Sequence, residues 1–231
     1  MHGRPSRFVT VSSPIVHGPS PANTTCWGRY RGGDMNIIRT AALIIVLFST
    51  TQPTWAIETL GYETLDEFNG IEIRRYDEHL LASVKVNGGF KSASNSAFRP
   101  LFNFISGDNA DATKIAMTAP VLQSPDTPAN SWIVSFVMPS GFDLATIPAP
   151  TSEIVSVTAQ PETTMAVIVY RGGWSRSLYQ EHESELYNAL ASTSYAPCGD
   201  ALWARHNPPI TPSFWRKNEI LVAVCPTTSE L

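Results

Sequence analysis

His206 has the most to offer chemically. It stands beside Arg205 at the end of an apolar segment that runs into Asn207-Pro208-Pro209. An imidazole there can ligate iron, or simply pack where a phenol would. His182 lies in a helical stretch, on one face with Leu178, Leu186 and Ala189, where a core or edge histidine bonded to a backbone carbonyl is the simpler expectation. His79 follows Tyr76-Asp77-Glu78 and reads as a solvated residue of a turn between strands. No pair of histidines or cysteines has the short spacing of a zinc site, and neither a glycine-rich phosphate loop nor a G-x-S-x-G elbow occurs. Glu183, Glu185 and Tyr187 offer an acid or base on the His182 helix, but a solvated acidic face accounts for them. These residues favour a binding protein over an enzyme.

Cys198 and Cys225 are the other reactive side chains of this region. If residues 202–207 and 219–224 form an antiparallel hairpin, position 207 faces about 219 and position 201 about 225. Cys198 then sits in the loop just beyond, within reach of Cys225. An exported protein would oxidise the pair; two free buried thiols are the alternative.

The elements that must position these residues repeat. Ile71 to Tyr76 alternates apolar and polar as a half-buried strand does, and Leu81 to Val86 is the next strand. Asn87-Gly88-Gly89 is a turn, and Phe90 to Ile105 is a helix with apolar residues at three- and four-residue steps, ended by Gly107. Lys114 to Leu122 and Ser131 to Met138 close the unit. The second copy has strands at Glu153 to Ala159 and Met165 to Tyr170, then a helix to about Ala191. Its closing strands are Trp203 to Pro208 and Ile220 to Val224. Arg171-Gly172-Gly173-Trp174 matches Asn87-Gly88-Gly89-Phe90 at an offset of 84, and Trp203 to Pro208 aligns with Ile115 to Pro120 at 88. The expected fold is α+β: a duplicated ββαββ module, with pseudo-repeats over about 62–140 and 151–226, joined through Pro148 and Pro150. The two sheets merge into one antiparallel distorted β-barrel flanked by two helices.

Lys114-Ile115-Ala116-Met117-Thr118-Ala119-Pro120-Val121 is an apolar strand stopped by proline, with a thioether inside it. Phe136-Val137-Met138-Pro139, Asn207-Pro208-Pro209 and Arg216-Lys217-Asn218-Glu219-Ile220 follow in register. Together these segments resemble the SOUL, or haem-binding protein, family over roughly Ile57 to Val224. The resemblance implies noncovalent binding of haem b or another tetrapyrrole in an apolar cleft, between the first helix and the loop joining the last two strands. Here that cleft would draw Phe98, Leu101, Phe102 and Ile105 from the helix, Met117 as floor, and His206, Ile210, Phe214 and Trp215 from the loop. Arg99, Lys114, Arg216 and Lys217 would meet the propionates. Two departures bear on iron. Family members commonly carry an aromatic at the His206 slot, and some place histidine in the first strand where this chain reads Arg74-Arg75-Tyr76. The duplicated module also resembles bacterial drug-sensing domains of the gyrase-inhibitor-like superfamily, which makes a site for other amphipathic molecules the alternative. A hydrolase using the same cleft stands behind both.

Upstream, Met35 to Ala56 has the features of a secretory signal peptide: Arg39, an apolar run from Ala41 to Phe48, and Thr54-Trp55-Ala56 as cleavage site. The run is well short of the ~20 residues that span a bilayer. Residues 1–34 are a polar extension, or precede a true start at Met35. The predicted mature chain, 57–231, is a periplasmic or secreted monomer with no stable membrane insertion. It carries 11 basic and 19 acidic side chains, a balance that disfavours nucleic acid as a partner.

Overall fold

The structure is a computed structural model that describes residues 57–127 and 129–226. The expected extension and signal segment lie outside the described residues. Strands β1 (Glu58–Thr59), β2 (Tyr62–Phe68), β3 (Ile71–Tyr76) and β4 (His79–Asn87) lead into helix α1 (Phe90–Ile105). After β5 (Thr118–Ala119) come β6 (Val121–Asp126), β7 (Ser131–Val137), β8 (Val155–Gln160) and β9 (Thr163–Arg171). Helix α2 (Arg176–Leu190) is followed by β10 (Tyr195–Pro197), β11 (Leu202–Arg205), a 3-10 turn (Ser213–Trp215) and β12 (Lys217–Pro226).

The α+β expectation holds. A curled antiparallel half-barrel runs β2-β3-β9-β12-β11-β6-β7-β4-β8, with β10 pairing on β12. The expected repeat is visible in its order. From the β6–β11 seam outward, one side reads β6-β7-β4-β8 and the other β11-β12-β9-β3. The offset of 84 carries β3 onto β8 and β4 onto β9. Gly88 and Gly172 share that offset, with φ of +138° and +158°, backbone that side chains resist. At Gly172 a Cβ would also lie 2.8 Å from Leu178 Cδ2.

Each half exchanges its first strand with the other. β3 pairs with β9, and β8 pairs with β4, so neither repeat closes its own sheet. The interior forms three clusters. Ala97, Leu101, Phe104 and Ile105 of α1 pack on Val84, Val134 and Phe136. Tyr179, Leu186 and Leu190 of α2 pack with Ile73, Ala166 and Ile220. A third cluster, Tyr76, Leu122, Val137, Val167 and Leu221, is completed without either helix. Among the described residues, the buried apolar side chains of these clusters all come from residues 71–224, within a compact unit that runs from Trp55 to Leu231.

Three expectations need correction. Lys114 to Leu122 is not one strand. Residues 114–117 lie in no strand, and the Ile115 N–H goes to Ile105 O at the end of α1 (2.8 Å). β5 pairs only with β1, and the main-sheet strand β6 begins after Pro120, which has no N–H for a ladder. The 88-residue alignment fails for the same reason, since Pro120 precedes its strand whereas Pro208 follows β11. The closing hairpin is shifted as well: Leu202 faces Leu221, Arg205 faces Asn218, and Ala196 of β10 faces Cys225. The disulfide forms nonetheless, with Cys198 and Cys225 Cα atoms 5.9 Å apart.

Candidate functional site

Helix α1 is apolar over a wider arc than the sheet can cover. Ala93, Ala97, Leu101 and Phe104 take the buried face. Phe98 and Phe102, one turn apart on the next stripe, are left 40% and 45% exposed. Their rings stack at 5.7 Å, and Phe98 meets Phe136 edge-on at 5.6 Å. The corresponding stripe of α2 is not open. His182 occupies the place of Phe98, stacks on Tyr170 at 4.1 Å and is bonded to Glu185 Oε2 (2.6 Å).

The two halves also differ in their last connection. β6 and β7 are joined by a short turn, while residues 206–216 form a long loop between β11 and β12. That loop faces α1 across the seam, and a cleft of about 410 Å³ opens between them, within the range of small-molecule sites. Ile57, Phe98, Met117, Val121, Val134, Trp174, Pro208 and Pro209 give it apolar walls. Ser94, Arg205 and His206 are its main polar groups.

Arg205 was not among the expected ligand contacts, although it sits beside His206 in the sequence. Its guanidinium donates to Ser94 Oγ (2.7 Å), Gln123 Oε1 (2.6 Å) and Tyr179 OH (3.2 Å). It also lies over the Trp174 ring at 5.2 Å. An arginine has five N–H donors, so two remain beyond these three bonds. The only hint in sequence is a strand-end cation leading into a proline loop.

His206 lines both the cleft and a small cavity of about 50 Å³ inside the half-barrel. Its Nε2 is 2.8 Å from Glu219 Oε2. Glu219 is buried and also meets Arg74 Nη1 (3.0 Å) and Lys217 Nζ (2.9 Å). Burial pushes the Glu219 carboxyl up, but His206, then Lys217 and Arg74, outweigh it and hold the pKa at about 2. The carboxylate is therefore the acceptor and Nε2–H the donor. In the neutral imidazole this leaves Nδ1 with a lone pair, oriented by a carboxylate as metal-binding histidines commonly are.

The expected site residues fall into groups. Phe98, Met117 and His206 line the cleft, and Phe102 stacks behind Phe98. Leu101 and Ile105 do not: they point into the core beneath α1, because the apolar stripe is split between sheet and cleft. Ile210, Phe214 and Trp215 lie at the loop's outer end, 90%, 64% and 63% exposed, and line no part of the cleft. Arg216 lies outside the cleft lining, donating to Thr211 O (2.8 Å) and Pro209 O (2.7 Å) and stacked on Trp174 at 4.2 Å. Lys217 turns to Glu219, while Arg99 and Lys114 are exposed and outside the cleft. His79 is not in a turn but opens β4, with Nδ1 2.8 Å from Asp77 O. Glu183, Glu185 and Tyr187 stand on α2 away from the cleft. No cluster of three metal-ligating side chains occurs among the described residues.

The model of the SOUL heme-binding protein family matches residues 57–223. The chain belongs to that family. Among solved structures, this SOUL chain is similar in fold to the EcmrR C-terminal domain, at 12% identity over 71% of this chain and 98% of the other, with a TM-score of 0.54. It is similar again to EcmrR in an EcmrR–DNA complex, at 11% identity over 67% and 56%, TM-score 0.51. A hydrolase from Listeria innocua reaches 8% over 74% and 94%, TM-score 0.47. At these identities the likeness concerns the fold alone. No curated protein matches the chain.

Proposed function

We propose that this protein binds haem b or another tetrapyrrole noncovalently, one per chain, in the cleft between α1 and the β11–β12 loop, as a carrier, buffer or sensor. The observation that carries the reading is the exposed Phe98–Phe102 stack beside Arg205. A flat apolar ring has an aromatic wall to lie on, and a propionate has two unspent guanidinium N–H groups to meet. When bound, haem would supply iron; Nδ1 of His206 and the thioether sulfur of Met117 are the cleft groups with the chemistry to approach it. Other amphipathic molecules are the second reading, favoured by the cleft's openness on one side and its proline walls. Export to the periplasm or beyond belongs to the same reading, supported by the Cys198–Cys225 disulfide and the 35–56 leader pattern.

Titration with hemin and with metal-free protoporphyrin IX, followed by absorbance, tests it. Saturable one-to-one binding of both supports a cleft site. Tighter hemin binding, with a Soret band altered in His206→Ala, assigns an axial role to that histidine. Failure of both porphyrins to saturate rejects the tetrapyrrole and leaves the general amphiphile.

A further inference from the structure

The outer end of the β11–β12 loop is unexplained by the cleft. Ile210, Phe214 and Trp215 are the most exposed large apolar side chains of the described residues, on a segment that is held rather than loose. Ser213–Trp215 is a 3-10 turn, and Phe214 packs edge-on against Trp215 at 5.0 Å. Arg216 ties the loop to itself through Thr211 O and Pro209 O, and Arg171 Nη1 donates to Trp215 O (3.0 Å).

The charge around this tip is segregated. Residues 163–180 and 201–218 contain Arg171, Arg176, Arg205, Arg216 and Lys217 and not one carboxylate. They hold five of the 11 basic side chains of residues 57–231 and none of the 19 acids. The two segments converge: Lys217 faces Arg171 across the β9–β12 pair, a like-charge arrangement that costs stability unless something answers it. Lys217 is answered by Glu219. Arg171 and Arg216 donate only to neutral carbonyl oxygens in their hydrogen bonds, so their charges remain available.

We propose that this loop docks the protein on an anionic lipid surface. Ile210, Phe214 and Trp215 enter the boundary between headgroups and acyl chains, and Arg171 and Arg216 meet the lipid phosphates. Aromatic and aliphatic side chains over a rim of cations are what such an interface accepts. The contact is peripheral; no helix among the described residues is long and apolar enough to cross a membrane. The inference stands whether the cleft takes haem or another amphiphile, and it would set the cleft mouth beside the bilayer.

The test is flotation of the chain starting at Ile57, which leaves out the upstream apolar run, with phosphatidylcholine vesicles made with and without phosphatidylglycerol. The expected result is binding that requires phosphatidylglycerol and weakens as salt is raised. Phe214→Ser with Trp215→Ser should lower it at least about tenfold with the thermal midpoint unchanged. Arg171→Gln should lower it without affecting hemin titration. No flotation with either vesicle overturns the proposal. So does a double variant that floats like the parent, or sedimentation showing that the tip instead pairs two copies of the chain.

Discussion

Glu219 Oε2 accepts from His206 Nε2 at 2.8 Å, across the wall that separates the cleft beside α1 from the interior of the half-barrel. One side of the imidazole is thereby tied to a buried carboxylate, itself clamped by Arg74 and Lys217. The cleft's histidine is positioned by a charge network that belongs to the core. Any ligand contact His206 makes is set by β12 and β3 as much as by its own loop.

That network predicts a pH response with a definite sign. The Glu219 carboxyl is held at about 2 in the fold and returns to the usual carboxylate range on unfolding. A depressed folded pKa contributes stability above the unfolded value and loses it as pH falls toward the folded one. The parent should therefore lose about 3 kcal/mol from this group between about pH 4.5 and pH 2. Glu219→Gln should lack that component of the slope. At neutral pH it should be less stable by about 3 kcal/mol, because buried Arg74 keeps only Glu72 as a charge partner and His206 and Lys217 lose theirs. Asp126 and Asp143 are also held low, so denaturant unfolding at a series of pH values must be read as the difference between parent and variant.

The division of labour on α1 gives a second prediction. Phe98→Asp should weaken porphyrin binding at least about tenfold while changing stability little, since the ring is partly solvated already. Leu101→Ala, three residues away and fully buried, should cost about 2–5 kcal/mol and leave the cleft's affinity near the parent's under folding conditions. Paired urea melts and hemin titrations separate the two. Equal losses of affinity in both would mean that the stripe is not split as described.

These two residues also show what was legible in sequence. The repeat could be seen because turn glycines and helix stripes recur at a constant offset, and a ββαββ unit with one apolar face has few ways to pack. The strand exchange was not legible: β3 and β8 are both short half-buried strands whose pattern suits either neighbour. Phe98 and Leu101 satisfy the same helical periodicity, so spacing alone cannot say which faces the sheet and which the cleft. Arg205 escaped because its value depends on Ser94, Gln123 and Tyr179, partners up to 111 residues away. Phe214 and Trp215 were expected as cleft walls because they are adjacent aromatics in a proline loop, but their direction, outward, is a property of the folded loop.

The disulfide gives a third prediction. Both cysteines are exposed, at the edge where β10 joins β12, so a reductant reaches them without unfolding the domain. Cys198→Ala with Cys225→Ala should lower stability by about 2–4 kcal/mol, and hydrogen exchange should rise first in β10 and its link to β11. Thermal melts with and without reductant would check this. A parent unaffected by reductant, or a variant with unchanged β10 exchange, would mean that the pairing of β10 with β12 holds the edge without the bond.

Arg205 supplies the most specific prediction about the ligand. Its planar fork spans Ser94 and Gln123 and has donors to spare, whereas a lysine ammonium is a point charge that cannot make the same set of bonds. If the guanidinium meets a propionate, the parent should bind protoporphyrin IX more tightly than its dimethyl ester, which keeps the ring and loses the charge. Arg205→Lys should erase much of that preference. The ratio of the two affinities is the quantity to measure, because a general loosening of the site would weaken acid and ester alike and leave the ratio intact. A ratio near one in the parent would move the propionate away from Arg205 and leave the Phe98–Phe102 wall as the main determinant of binding, which is what a site for uncharged amphiphiles requires.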